Sequence, residues 1–142
     1  MSENILVERT LEHFEAVRTK DLAAILSLYE QSDDLLVFVE GPRWRTLGYK
    51  MVEKGWTDFM DSSISVTKAE WIDDLRSRVA GEMGFVAGIN ELTVNIGGKE
   101  QTIKFRGTFV FQKDDEGEWK VVLEHFSQPA ADPYGVGDWL KT

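Results

Sequence analysis

The chain has 142 residues, no cysteine and a formal net charge of -9, which fits one domain large enough to bury roughly two thirds of its unfolded surface. Without cysteine there is no disulfide framework and no thiolate metal site. The negative charge, with no local Lys/Arg cluster to offset it, argues against nucleic acid or an anionic membrane surface as a partner, and Arg43 and Arg45 read as solvated loop charges.

The opening stretch MSENILVERTLEHF carries charges through its apolar positions, and no apolar run approaches the roughly 18 residues that span a bilayer. A soluble, unprocessed, cytoplasmic chain is therefore expected. Val7, Leu11, Phe14 and Val17 recur at helical spacing and predict a helix over 4–18, with His13 at the edge of its buried stripe. Asp21 reads as the N-cap of a second helix whose face is Leu22, Ile25, Leu26 and Tyr29, closed by the polar EQSDD, so the two helices form a hairpin.

LLVFVEGP is rich in strand formers and ends on a Gly-Pro turn, and RWRTLG leads into a third helix over 49–61. That helix has the stripe Tyr49, Val52, Trp56 and Phe59, which makes Trp56 core or pocket wall. From Ser63 the period changes to two, predicting strands over 64–80, 84–96, 101–113 and 119–127 joined by the turns GEMG, GG and DDEGE. Residues 128–142 form a tail, with Trp139 expected against the body. With no repeat or linker, residues 1–142 make one domain of α+β class, in which three N-terminal helices cover one face of a curved antiparallel sheet. Such a sheet leaves a cavity at its open end, where pockets form.

The order of these elements, with FEAVRTKDLAAILSLY near the start and RGTFVFQKDDEGEWKVVLEHFS near the end, resembles the nuclear transport factor 2-like superfamily. Within it the SnoaL-like group is the most similar branch, its pattern matched by Thr108, Gly117, Trp119, His125 and Ser127. The resemblance spans nearly the whole chain and implies a cone-shaped, cystatin-like fold. The end of the chain also resembles the association domain of calmodulin-dependent kinases, which implies an oligomerisation hub as another role. Because this fold hosts isomerases, cyclases, dehydratases, ligand binders and hubs, function has to be argued from the cavity.

In the last predicted strand Trp119, Val121, Leu123, His125 and Ser127 share one face and Val122, Glu124 and Phe126 the other. Similarity to the kinase hub implies that the second face looks into the cavity and that His125 and Ser127 lie on the outer one. His125 and Ser127 do not make a hydrolase pair, since neighbours two apart on a strand project in parallel and no G-x-S-x-G elbow is present. The ketosteroid isomerases of the superfamily use a helix-one tyrosine, an aspartate after the first strand and a second acid on a central strand, and the resemblance puts His13, Gly41 and Phe109 at those places. Their base is missing, and the adjacent Glu40 would need a bulge to face the same way.

The candidate cavity set is His13, Trp44, Trp56, Glu91, Phe109, Glu124 and Phe126. By resemblance, Glu91, Phe109 and Phe126 stand where hub domains carry arginines, so an anion site is expected to be lost. Carboxylates and a histidine among aromatic rings favour a neutral or cationic, partly apolar ligand. The same residues fit a plainer account, with His13 and Trp56 in the core and Glu91 and Glu124 paired to Arg76, Arg78 or Arg106 across strands. A raised Glu124 pKa would mark a dry pocket and a lowered one an arginine pair. No metal and no cofactor are expected, since only two histidines exist and no pair has zinc-type helical spacing. The functions left in view are a small-molecule-binding domain, with Glu124 or His13 as acid or base; an isomerase, cyclase or dehydratase-type enzyme; and a non-catalytic association module. A homodimer is expected in each.

Overall fold

The structure is a computed structural model describing residues 2–39, 41–132, 134, 135 and 137, with side chains from Ile5 onward. Glu40 and Trp139, singled out above, lie outside the described residues. Helix α1 (Ser2–Thr19) buries Leu6, Thr10, His13, Phe14, Ala16 and Val17, whereas Leu11, expected in its stripe, is 47% exposed. The buried face is turned by one position because Thr10 is satisfied internally. Its hydroxyl donates to the Val7 carbonyl at 2.7 Å and accepts the Trp71 indole N–H at 3.0 Å. The rotation carries His13 from the edge of the stripe to its middle.

Helix α2 (Leu22–Leu26) begins where expected, its N-cap Asp21 side chain accepting from the Ala24 amide at 3.1 Å. It ends after five residues, before Tyr29. Tyr29 instead bridges Val121 in parallel, with the Val121 amide donating to the Leu28 carbonyl at 2.8 Å and the Glu30 amide to the Val121 carbonyl at 3.0 Å. This short ladder fixes Tyr29 against the last strand. Strands β1 (Leu36–Phe38) and β2 (Thr46–Leu47) precede helix α3 (Tyr49–Asp61). The strand β2 was not foreseen in RWRTLG.

Four long strands follow, β3 (Ile64–Ala80), β4 (Met83–Ile96), β5 (Lys99–Lys113) and β6 (Trp119–Ser127), close to the predicted bounds. The six-stranded sheet runs in the order β2-β1-β6-β5-β4-β3. It is mixed rather than wholly antiparallel, because β1 lies parallel to β6, with Val37 beside Glu124. The connection from β1 passes through α3 and the whole meander before β6 arrives, so a hairpin does not dictate the direction of that pair.

Strand β3 has register shifts at Val66/Lys68, Trp71/Asp73 and Asp73/Arg76, the last including Asp74 at φ 54°. Bulges bend a strand and increase its twist, and here the bent strand packs over α1. Helices and concave sheet face together enclose one hydrophobic core that includes Leu6, Tyr29, Val86, Phe109, Phe111 and Val121. The arrangement is an α+β cone.

A second irregularity decides the last strand. Val110 pairs with Leu123 but Phe111 pairs with Val121, leaving Val122 as an extra residue. The alternation therefore slips, and Trp119 and Val121, both buried, face the core together with Glu124 and Phe126. The expectation that Trp119 and Val121 share a face with His125 is corrected by this bulge.

Candidate functional site

Glu124 stands in the middle of β6 on the concave face and is only 5% exposed. Its Oε1 accepts the Tyr29 hydroxyl at 2.6 Å, and that hydroxyl in turn accepts the Trp56 indole N–H at 3.2 Å. Three elements thus converge: α3 supplies Trp56, the segment after α2 supplies Tyr29, and β6 supplies the carboxyl. Among the described residues no donor reaches Glu124 Oε2, and the carboxyl keeps its small exposure toward the space it lines. Burial pushes its pKa from 4.5 up to about 7, opposed by the Tyr29 hydrogen bond. Tyr29 is itself raised well above its usual value by burial and by the adjacent carboxyl, so it remains a hydroxyl donor.

Two adjoining cavities are lined in common by Glu124, Trp56 and Val39. The first, about 220 Å³, is walled by His13, Phe14, Leu92, Phe105, Phe109 and Phe126. The second, about 320 Å³, lies between α3 and the β1–β2 pair, with Tyr29, Val37, Val52, Phe59 and the exposed Arg43 in its lining. The aromatic rings interlock, Phe109 standing 5.3 Å from Phe126 and 6.0 Å from His13 between ring centroids. Gly107 makes room for this, since a Cβ there would fall 2.9 Å from the Phe126 ring.

His13 is 5% exposed and packs edge-on against Tyr29 and Trp56, each at 5.6 Å. Burial, with a contribution from the Arg9 charge, lowers its pKa to about 3 against a smaller opposing effect of the Ile25 backbone. It is therefore a neutral imidazole in the cavity wall. Its Nδ1 has no partner among the described residues. Asn90, next to Phe105 in the ladder, is fully buried with both amide atoms likewise unpartnered, a polar demand directly behind the wall.

Of the candidate set, the structure brings together His13, Trp56, Phe109, Glu124 and Phe126. Two candidates are corrected. Trp44 is 95% exposed in the loop before β2 and lines neither cavity. Glu91 falls between the inward Asn90 and Leu92 and so points to the convex face, where the ladder sets it between Glu70 and Lys104. The arginine pairing of Glu124 is also absent among the described residues, since Arg106 donates to the Gln128 carbonyl at 2.9 Å. Tyr29, Phe14 and Phe105 were missed. Phe105 shares the period-two face of Phe109, a spacing that points to it; the spacing around Tyr29 marks it only as a helix-stripe residue.

Among the described residues no group of three or more His, Asp or Glu side chains could hold a metal ion, and no helix is long and apolar enough to cross a membrane.

The SnoaL-like domain matches residues 7–131. The chain belongs to the SnoaL-like family. No curated protein matches it significantly. Among solved structures, this SnoaL-like domain is similar to a nuclear transport factor 2-like superfamily protein from Salmonella enterica serovar Typhimurium, with a TM-score of 0.81, 18% identity and 96% of each chain covered. A ketosteroid isomerase-like protein from Erwinia carotovora matches with a TM-score of 0.73 and 14% identity, over 91% of this chain and 97% of that one. A proposed calcium/calmodulin-dependent protein kinase II association domain from Xanthomonas campestris gives 0.69 and 20%, over 84% and 82%. At these identities the likeness establishes the fold, with chemistry left to the site.

Proposed function

We propose that this SnoaL-like domain binds a small, largely apolar, neutral or cationic molecule in its two adjoining cavities. One observation carries the reading: a buried carboxyl, held on one oxygen by Tyr29 and unpartnered on the other among the described residues, faces aromatic walls. A polar group this buried is costly unless something meets it. Together the cavities are of the size and character of a small-ligand site. With a pKa of about 7, Glu124 can both give and take a proton near neutrality. That is the property an isomerase, cyclase or dehydratase-type step would need. His13, neutral down to about 3, cannot serve as the acid there.

The test is a fragment screen followed by amide and indole NMR shifts. The reading expects responding fragments to move the Trp56 indole N–H and the amides around Phe109 and Phe126. A library of apolar neutral and cationic fragments that leaves the Trp56 indole unmoved overturns it.

A second, compatible reading is self-association through the convex face. The ladder places Phe85, Val110, Leu123, Leu36 and Leu47 in one row across β4, β5, β6, β1 and β2, none of them buried. Phe38 packs against His125 beside the row, at 5.2 Å between rings. A continuous apolar row on a sheet surface favours a homodimer, and likeness to the association domain adds support. Light scattering at micromolar concentration should give a dimer, and Leu123→Lys a monomer; a monomeric wild type removes this reading.

A further inference from the structure

Resting on the binding reading above, we infer that the preferred ligand is a secondary or tertiary ammonium ion carrying an apolar group on each side of its nitrogen. The first support is placement. Glu124 lines both cavities, and so do Trp56 and Val39. A molecule with its polar group at one end would fill one cavity and leave the other apolar space empty. One with a central polar atom fills both while that atom meets Glu124 Oε2.

The second support is charge. Around Glu124, α1 contributes His13, which stays neutral, and the segment after α2 contributes Tyr29, which stays protonated. The walls from α3, β1, β3, β4, β5 and β6 contribute Trp56, Val37, Val39, Ala69, Leu92, Phe109 and their apolar neighbours, with no titratable group besides Glu124 among the described residues. Arg43 lines the second cavity only from an exposed loop, where water and salt screen it. The charge this interior can offer a ligand is therefore negative. An anion would meet it unpaired, and a neutral molecule would suit only its protonated form.

The third support is the wall itself. Trp56, Phe105, Phe109 and Phe126 line the first cavity, and aromatic rings attract a desolvated cation over their faces. A net charge of -9 raises the local concentration of cations around the molecule. Because an ammonium ion pairs with the ionised carboxylate, its binding displaces the Glu124 proton and tightens as that group ionises.

A matched set tests this by calorimetry: dicyclohexylamine as the cation, dicyclohexyl ketone as the neutral analogue and dicyclohexylacetate as the anion, each at about pH 6 and about pH 8. For a carboxyl that titrates at about 7, the amine should gain about tenfold in affinity over that range and exceed the ketone by about tenfold or more at the upper end. Glu124→Gln should erase both the pH dependence and the preference for the amine over the ketone. Should that variant fail to fold, the pH dependence of the wild type decides alone. Equal affinity for amine and ketone, preference for the anion, or amine affinity flat with pH overturns the ammonium assignment and leaves the binding reading standing. Failure of all three molecules to bind the wild type overturns the ammonium assignment, and the binding reading then falls only if the fragment screen also leaves the Trp56 indole unmoved.

Discussion

The concave and convex faces of the sheet each carry a glutamate that the sequence marked as a site candidate, and the two have opposite fates. Glu124 on the concave face is sealed among Tyr29, Trp56 and Phe109, and burial lifts its pKa to about 7. Glu91 on the convex face sits half-exposed between Glu70 and Lys104, with Lys68 and Glu70 forming an exposed ion pair at 3.1 Å nearby. Water screens charges there, so such groups add little to stability or specificity. Low dielectric, a fixed donor and a cavity beside it, and not residue type, set Glu124 apart from Glu91.

If the concave face is the organised one, its variants should cost most. Phe109→Ala removes a ring 1% exposed that touches His13, Phe14, Trp71, Phe111 and Phe126, and should lose about 3–5 kcal/mol in urea denaturation. A loss under about 1 kcal/mol would mean that the face is loosely packed.

The next effect is on pH dependence. Glu124 has a raised pKa, so its stabilising contribution is complete below 4.5 and is lost as pH rises through about 7. His13 has a lowered pKa, so its contribution is complete above 6.5 and is lost as pH falls through about 3. Between 4.5 and 6.5 the two slopes oppose and stability should be nearly flat. Glu124→Gln removes one slope, so its stability should rise by roughly 3 kcal/mol across that window. A variant curve as flat as the wild type would break the account of both groups.

A smaller effect is expected at Tyr29. Tyr29→Phe leaves Glu124 Oε1 and the Trp56 N–H without their partner and should cost about 1–3 kcal/mol in thermal unfolding. Smallest is Glu91→Gln, which should stay within about 0.5 kcal/mol and leave cavity binding unchanged. A larger change there would show that the convex glutamate was undervalued.

Much of the fold was legible because its signals are local. Asp21 caps α2, the stripe of Tyr49, Val52, Trp56 and Phe59 defines α3, and alternation marks β3 to β6 within a few residues. What stayed hidden depends on contacts distant in sequence. Thr10 turns α1 because a Trp71 indole 61 positions away bonds its hydroxyl. Val122 bulges because of its register with β5, and the parallel direction of β1 is set only when β6 arrives beside it. Of the cavity lining, alternation and resemblance point to Glu124, Phe126 and Phe109. They do not point to Tyr29, because its partner lies 95 positions away. Trp44 misled because a large aromatic in a short loop carries no periodic signal to say whether it faces inward.

That Glu124 is a buried cavity carboxyl with no arginine partner among the described residues is tested most directly by a carbon-13 NMR titration of its side-chain carboxyl. Wild type should titrate near 7. Arg106→Met should leave that midpoint in place, since Arg106 bonds to the Gln128 carbonyl, and Tyr29→Phe should move it higher by removing the hydrogen bond that favours the ionised form. A midpoint in the ordinary carboxylate range, or one that rises in Arg106→Met, would contradict the account.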